Sequence, residues 1–295
     1  MEPHTRSPRS YLYVPGDRAD RLERALDRGA DALILDLEDS VAAQNKATAR
    51  ELTGRWLLEH AASAPSVWVR VNAASVEADL ASFTVAPAGV MVPGAEPALL
   101  HDVDSLLTSR EHAWGVPEAS VPIIPLIETA RGLLAAVELA GTRRAVRLAI
   151  GRADLAAELG LGIDPEGPEF RSILLNIVIA SAAAGISAPL APTSTDFRNL
   201  DALRSSTAQL MRLGYRSRTA VHPAQLAIIN EVFTPAADDL ERARALVEAF
   251  ERSERAGSGV TTDDRGRMVD VAVVRAAREL LLRAGEDPGR LDHRP

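Results

Sequence analysis

Seven short apolar runs recur along this chain, SYLYVPGDR, ALILDLED, VWVRVN, GVMVP, IPLIE, LAIGRAD and TAVHP, each ending in a charged, polar or turn-forming residue and each followed by a helical pattern. Continuous apolar runs are the mark of strands covered on both faces, and their alternation with helices restricts the chain to a parallel α/β architecture. With chemistry-bearing residues at the strand ends, the reading is a TIM-type (β/α)8 barrel. All strand ends of that fold meet at one mouth, so Arg70, Glu128 and Asp154 converge although they are far apart in sequence.

The strands are placed at Tyr11 to Val14, Ala32 to Leu37, Val67 to Val71, Gly89 to Val92, Pro122 to Ile127, Arg147 to Ile150, Ile186 to Leu190 and Thr219 to Val221. Helices are expected from Asp17, as cap, to Arg28 with Gly29 as its stop, then over Val41 to His60, Pro97 to Ser109, Thr129 to Ala140, Glu169 to Ala184 and Asn199 to Leu213. The helix from Glu169 is apolar enough to be expected largely buried. The barrel domain spans 1–234 and a C-terminal helical extension spans 235–295, with helices over DDLERARALVEAFERSERA and from Met268 to Ala284 around the loop GSGVTTDDRGR. That extension either helps an oligomer form or covers the barrel's own flank.

A chain of 295 residues, 46% hydrophobic and 25% charged, supports one large core, and no run approaches the roughly 20 apolar residues of a membrane span. The N-terminal MEPHTRSPRS carries no apolar stretch like that of a signal peptide, so a cytoplasmic protein is expected. The absence of cysteine excludes disulfides, thiolate nucleophiles and cysteine-bound metals. A net charge of −8 argues against a broad nucleic-acid surface. Lys46, the only lysine, falls in a helical stretch past the second strand where it is expected to be solvated, which disfavours Schiff-base chemistry and leaves metal-assisted chemistry.

Glu128 and Asp154 end adjacent strands, so their carboxylates are able to share one hard divalent cation; the alternative is that each caps the helix after it. Arg70 ends an apolar strand, where a charge needs partners. It either fixes a substrate oxygen and stabilises an enolate or forms an ion pair with Asp36 or Glu38, which alternate toward the interior. Arg18 and Arg24 near the first helix, with Tyr13 before the turn, suit a polyphosphate ligand or form a solvated helix face. His222 is read as a hydrogen-bonding strut beside Pro223 rather than a base.

Together SYLYVPGDR, ALILDLEDSV, VRVN, VMVP, IPLIETARG, DLAAELG, AVHPAQLAIINEVFTP and GRMVD, in order along nearly the whole chain, resemble the citrate lyase beta subunit-like branch of the HpcH/HpaI aldolase superfamily. The resemblance implies a (β/α)8 barrel, usually a homotrimer, that uses Mg2+ to cleave or form a carbon–carbon bond in 3-hydroxyacyl-CoA thioesters such as citryl-, malyl- or citramalyl-CoA. It further implies Glu128 and Asp154 as magnesium ligands, Arg70 as the substrate-binding arginine, and Tyr13, Arg18 and Arg24 as coenzyme A contacts. The chain departs from the family pattern at Pro93-Gly94, where PK is common. It departs again at Gly151-Arg152-Ala153-Asp154, which lacks the acid before the aspartate, and at Arg265, where an acid usually precedes G-x-M. The proton acceptor is accordingly assigned to Asp264 of a neighbouring subunit, then to Asp36. A malyl-CoA-type thioesterase on the same site, or a subunit that needs partners, is the alternative reading.

Overall fold

The computed structural model describes residues 7–60, 66–162, 167–263 and 266–286. Eight parallel strands close a barrel in sequence order: β1 (Ser10–Pro15), β2 (Ala32–Asp36), β3 (Ser66–Arg70), β4 (Gly89–Val92), β5 (Ile123–Ile127), β6 (Ala149–Ile150), β7 (Leu190–Ala191) and β8 (Ser217–Ala220). The seam is made where Ser10 to Leu12 pair with Arg218 to Ala220. The helices of this unit are α1 (Ala19–Glu23), α2 (Lys46–His60), α3 (Val76–Ala81), α4 (Pro97–Trp114), α5 (Ala130–Leu134), α6 (Ala136–Ala140), α7 (Arg152–Leu159), α8 (Pro168–Ala184), α9 (Leu200–Leu213) and α10 (Leu226–Phe233).

Side chains alternate across each strand, and the alternation sorts the core into two layers. Leu12, Leu33, Leu35, Val67, Val69, Val90 and Val92 face outward into the shell beneath the helices. Tyr11, Ala32, Ile34, Trp68, Met91, Ile124, Leu126 and Leu190 fill the interior. The Trp68 ring lies on Gly89, whose missing Cβ makes room for it. Against α4, the Arg144 side chain is fully buried and donates to both carboxylate oxygens of Glu111 (2.6 and 2.9 Å), to Asp104 and to Thr108.

Several expected boundaries move. The first helix is short: Asp17 does not cap it but accepts from Asn45 Nδ2 (2.8 Å), and a separate 3-10 turn, Leu26–Arg28, ends at Gly29 in the left-handed region. The helix expected from Thr129 divides at Ala135 into α5 and α6, and α7 was not foreseen. Although α8 buries Phe170, Leu174, Ile177 and Ala180, Leu175 and Ile179 are exposed, so it is amphipathic rather than largely buried.

One compact unit runs from Pro8 to Phe233, and Thr234 begins another. In the second, α11 (Ala237–Arg255) and α12 (Val271–Arg283) pack through Ala243, Val247, Phe250, Val274, Ala277 and Leu281. It also holds the hairpin of β9 (Thr261–Thr262) and β10 (Met268–Val269). Asp270 caps α12, accepting from the Ala272 and Val273 amides. No helix among the described residues is long and apolar enough to cross a membrane.

Candidate active site

The inward row that begins with Tyr11, Ile34 and Trp68 ends, two residues later on each strand, in Tyr13, Asp36 and Arg70. Parity therefore delivers a ring of polar groups at the carboxyl ends of β1 to β3. Asp36 and Arg70 are direct register partners, and the pair is built tightly: Arg70 Nε and Nη2 each donate to Asp36 at 2.7 Å. The third arm, Nη1, reaches Glu38 Oε2 (2.8 Å) and Asp39 Oδ2 (3.2 Å). The guanidinium lies 5.0 Å from the centre of the Tyr13 ring. Arg70 thus forms the expected ion pairs with Asp36 and Glu38, and it also lines a cavity of about 690 Å3.

Asp36 is 1% exposed and its carboxylate is saturated. Oδ1 accepts from Arg70 Nε and the Glu38 amide, and Oδ2 from Arg70 Nη2 and the Ser40 amide. Burial alone raises a carboxyl pKa, but the Arg70 bonds outweigh it and hold Asp36 below its ordinary value. So held, Asp36 anchors Arg70 in place. Glu38 differs; burial pushes it up to about 7 against the pull of Arg70, with Asp39 beside it adding to the rise.

On the opposite side of the barrel, β5 continues its inward parity from Leu126 to Glu128. Burial pushes the Glu128 carboxyl up to about 7; the Gly94 amide, donating to its Oε2 at 2.8 Å, works against the rise, and the negative charge of Asp154 adds to it. Gly151, the residue after β6, packs on Glu128 so closely that a Cβ there would collide with the carboxyl. Asp154 is exposed in the first turn of α7 and lines the same cavity as Glu128 and Arg70. Gly94, where the family pattern places a lysine, has φ +56 and supplies a backbone N–H instead of a side-chain cation.

No group of three or more His, Cys, Asp or Glu placed to hold a metal occurs among the described residues. Glu128 and Asp154, which line the same cavity, offer two carboxylates and no soft ligand. That set fits a hard divalent cation such as magnesium, which keeps several waters or substrate oxygens in its shell.

Tyr13 lines the same cavity from inside the barrel, where its hydroxyl meets Met91 Sδ (3.1 Å) and burial pushes its pKa up. Other expected residues fall elsewhere. Arg18 and Arg24 are exposed and do not line the cavity, and Arg18 pairs with Asp20 (2.9 Å). His222 accepts from the Ala224 amide and stacks on Phe197 at 4.7 Å, as a strut does. Asp264 lies outside the described residues. Lys46 is not simply solvated: its Nζ donates to two carbonyls of the turn after β2. Sequence reasoning missed a hydroxyl cluster of Thr193, Thr195 and Thr219, in which the Thr193 and Thr219 oxygens are 2.6 Å apart. Its signal was the polar run APTST after the seventh strand.

A closed eight-stranded parallel barrel with acids and a guanidinium gathered at the strand ends has the layout of a TIM-barrel enzyme. Residues 9–223 match the HpcH/HpaI aldolase/citrate lyase family model, and the chain belongs to that family. It is 35% identical over 280 residues to a (3S)-malyl-CoA thioesterase of Cereibacter sphaeroides (strain ATCC 17025 / ATH 2.4.3), covering 94% of each chain. It is 32% identical over 286 residues to the citrate lyase subunit beta of Escherichia coli (strain K12), covering 95% of this chain and 94% of that one. Among solved structures it resembles protein CitE from Mycobacterium tuberculosis in complex with magnesium, acetoacetate and coenzyme A. That likeness has a TM-score of 0.74 and 29% identity, over 96% of this chain and all of that one.

Proposed function

We propose that this protein is a magnesium-dependent carbon–carbon lyase acting on a 3-hydroxyacyl-CoA thioester of the malyl-, citramalyl- or citryl-CoA type. The observation that carries the reading is that Glu128, Asp154 and Arg70 line one cavity from opposite sides of the barrel. Glu128 and Asp154 would hold the Mg2+, which when bound polarises the substrate's oxygens and lowers the pKa of the hydroxyl. The neighbour bound to magnesium, acetoacetate and coenzyme A supports this use of the site.

In the cleavage direction a base removes the hydroxyl proton, the bond between the carbinol carbon and the thioester α-carbon breaks, and its electron pair passes to the thioester oxygen. The keto acid leaves, and the enolate takes a proton at carbon to become the shorter acyl-CoA. Arg70 faces the developing negative charge, held in place by Asp36. The apolar wall of Leu126, Ile150, Leu161, Phe170 and Leu190 limits water at the enolate. The base is assigned to Asp264 of a neighbouring copy in a cytoplasmic homotrimer, and exposed Arg18 and Arg24 to the phosphates of coenzyme A.

The second reading is a malyl-CoA thioesterase, favoured by the name of the 35%-identical relative. Product analysis separates the two. A lyase releases a keto acid and a shorter acyl-CoA, whereas a hydrolase releases free coenzyme A and the intact hydroxy acid. Glu128→Ala abolishes magnesium-dependent turnover on either reading; unchanged turnover and magnesium affinity remove the ligand assignment.

A further inference from the structure

Lys46 is the one lysine among 33 Lys and Arg residues, and its position is one that an arginine does not fill. As the first residue of α2 it sits at the positive end of that helix, where a cation is disfavoured unless something local holds it. What holds it is the turn leaving β2: Nζ donates to Leu37 O at 2.7 Å and to Glu38 O at 2.6 Å. Two carbonyl oxygens converging on one nitrogen suit a compact ammonium with three freely disposed donors, while a planar guanidinium spreads its donors across a rigid fork.

Several other polar groups of this turn lead to Arg70. The Glu38 and Ser40 amides donate to the two oxygens of Asp36 (3.0 and 3.1 Å), and the carboxylates of Asp36, Glu38 and Asp39 all lie on the Arg70 guanidinium. The Leu37 amide is tied to Arg70 O at 2.9 Å, and Glu38 O also receives the Val41 amide at 3.1 Å. The turn's amides therefore grip the anchor of Arg70, and its carbonyls are gripped by Lys46.

We propose that Lys46 is a positioning residue: its ammonium fixes the turn from Asp36 to Ser40, and the turn in turn sets the pose and the charge environment of Arg70 in the cavity. Lys46 does not line the cavity. The proposal rests on the reading of Arg70 as the group that meets the developing negative charge.

Because the chain has no cysteine, Lys46→Cys carries a unique thiol. Its sulfur displaces bromide from 2-bromoethylamine, forming a carbon–sulfur bond and restoring an ammonium at lysine length. Hydrogen exchange at the Glu38 and Ser40 amides and steady-state kinetics on malyl-CoA are measured for the parent chain, Lys46→Cys before and after alkylation, and Lys46→Arg. Charged hydrogen bonds of this kind lead us to expect exchange about tenfold faster and kcat/KM about tenfold lower or more in Lys46→Cys. Most of the kinetic loss should fall on kcat, both effects should be reversed by alkylation, and Lys46→Arg should rescue neither. Exchange and kinetics like the parent's in Lys46→Cys, or in Lys46→Arg, overturn the assignment. Should Lys46→Cys fail to fold, Lys46→Met, which keeps the apolar stem, is read in the same way. If the turn loosens and is restored while the parent chain turns over no CoA thioester, Lys46 keeps its hold on the turn and the functional reading falls.

Discussion

Asp36 and Arg70 are each at most a tenth exposed at the side chain, so neither is solvated without the other. Asp36→Asn removes the charge facing Nε and Nη2 of Arg70 while Glu38 and Asp39 still meet Nη1, and it is expected to cost ~1–3 kcal/mol in urea unfolding. Arg70→Met in the same background should recover part of that loss. Glu128 behaves differently because its native pKa is raised, to about 7 from 4.5, by burial first, then by Asp154. Without metal the native state binds this proton more tightly than the unfolded chain does. The contribution of Glu128 is therefore fully present below about pH 4.5 and is lost as pH rises toward 7. Metal-free Glu128→Gln should accordingly gain thermal stability on the parent between pH 5 and pH 8, and magnesium should stabilise the parent but not the variant. A melting-temperature difference flat across that range would sink the argument.

Elements deliver these residues by parity and by close packing. Gly151, between β6 and α7, lies against the Glu128 carboxyl, so Gly151→Ala pushes that carboxyl away. Magnesium affinity should fall about tenfold or more, for a cost of ~1–3 kcal/mol in stability from overpacking. Isothermal titration checks the first and urea unfolding the second. Strand identity was legible in the sequence because apolar runs and helical periods differ so clearly, and the inward facing of Asp36 followed from alternation alone. Strand ends were less legible. Ile186 was assigned to the seventh strand, but its amide bonds Ser181 O to finish α8 beyond left-handed Gly185, so β7 starts only at Leu190. Arg147 was assigned to the sixth strand; instead it sits before β6, donating to Ser217 Oγ (2.7 Å) with its guanidinium 5.6 Å from the centre of the Tyr11 ring. The break at Ala135 has no glycine or proline to announce it. Lys46 was illegible for a different reason: its partners are backbone carbonyls, and no residue pattern encodes them.

At the scale of the whole molecule, every member of the barrel's two core layers comes from residues 12–233 or 11–190, with none from the C-terminal unit. A fragment ending at Phe233 is thus expected to unfold as one cooperative transition by circular dichroism, with the parent's barrel amides still protected from exchange. In the C-terminal unit, Asp270→Ala removes a cap accepting two amides and should cost that unit about 1 kcal/mol in urea unfolding.

The seam between β1 and β8 has a consequence for how the molecule comes into being. Ser10 must find Arg218 across more than two hundred intervening residues, and Arg9 O receives the Arg218 amide at 2.9 Å only once they meet. During synthesis the first strand therefore waits, with one edge unpaired, until the strand around Arg218 has been made. Pairings so distant along the chain form slowly. Changes at Arg9 and Ser10 should therefore register in the rate of assembly before they register in the stability of the finished fold.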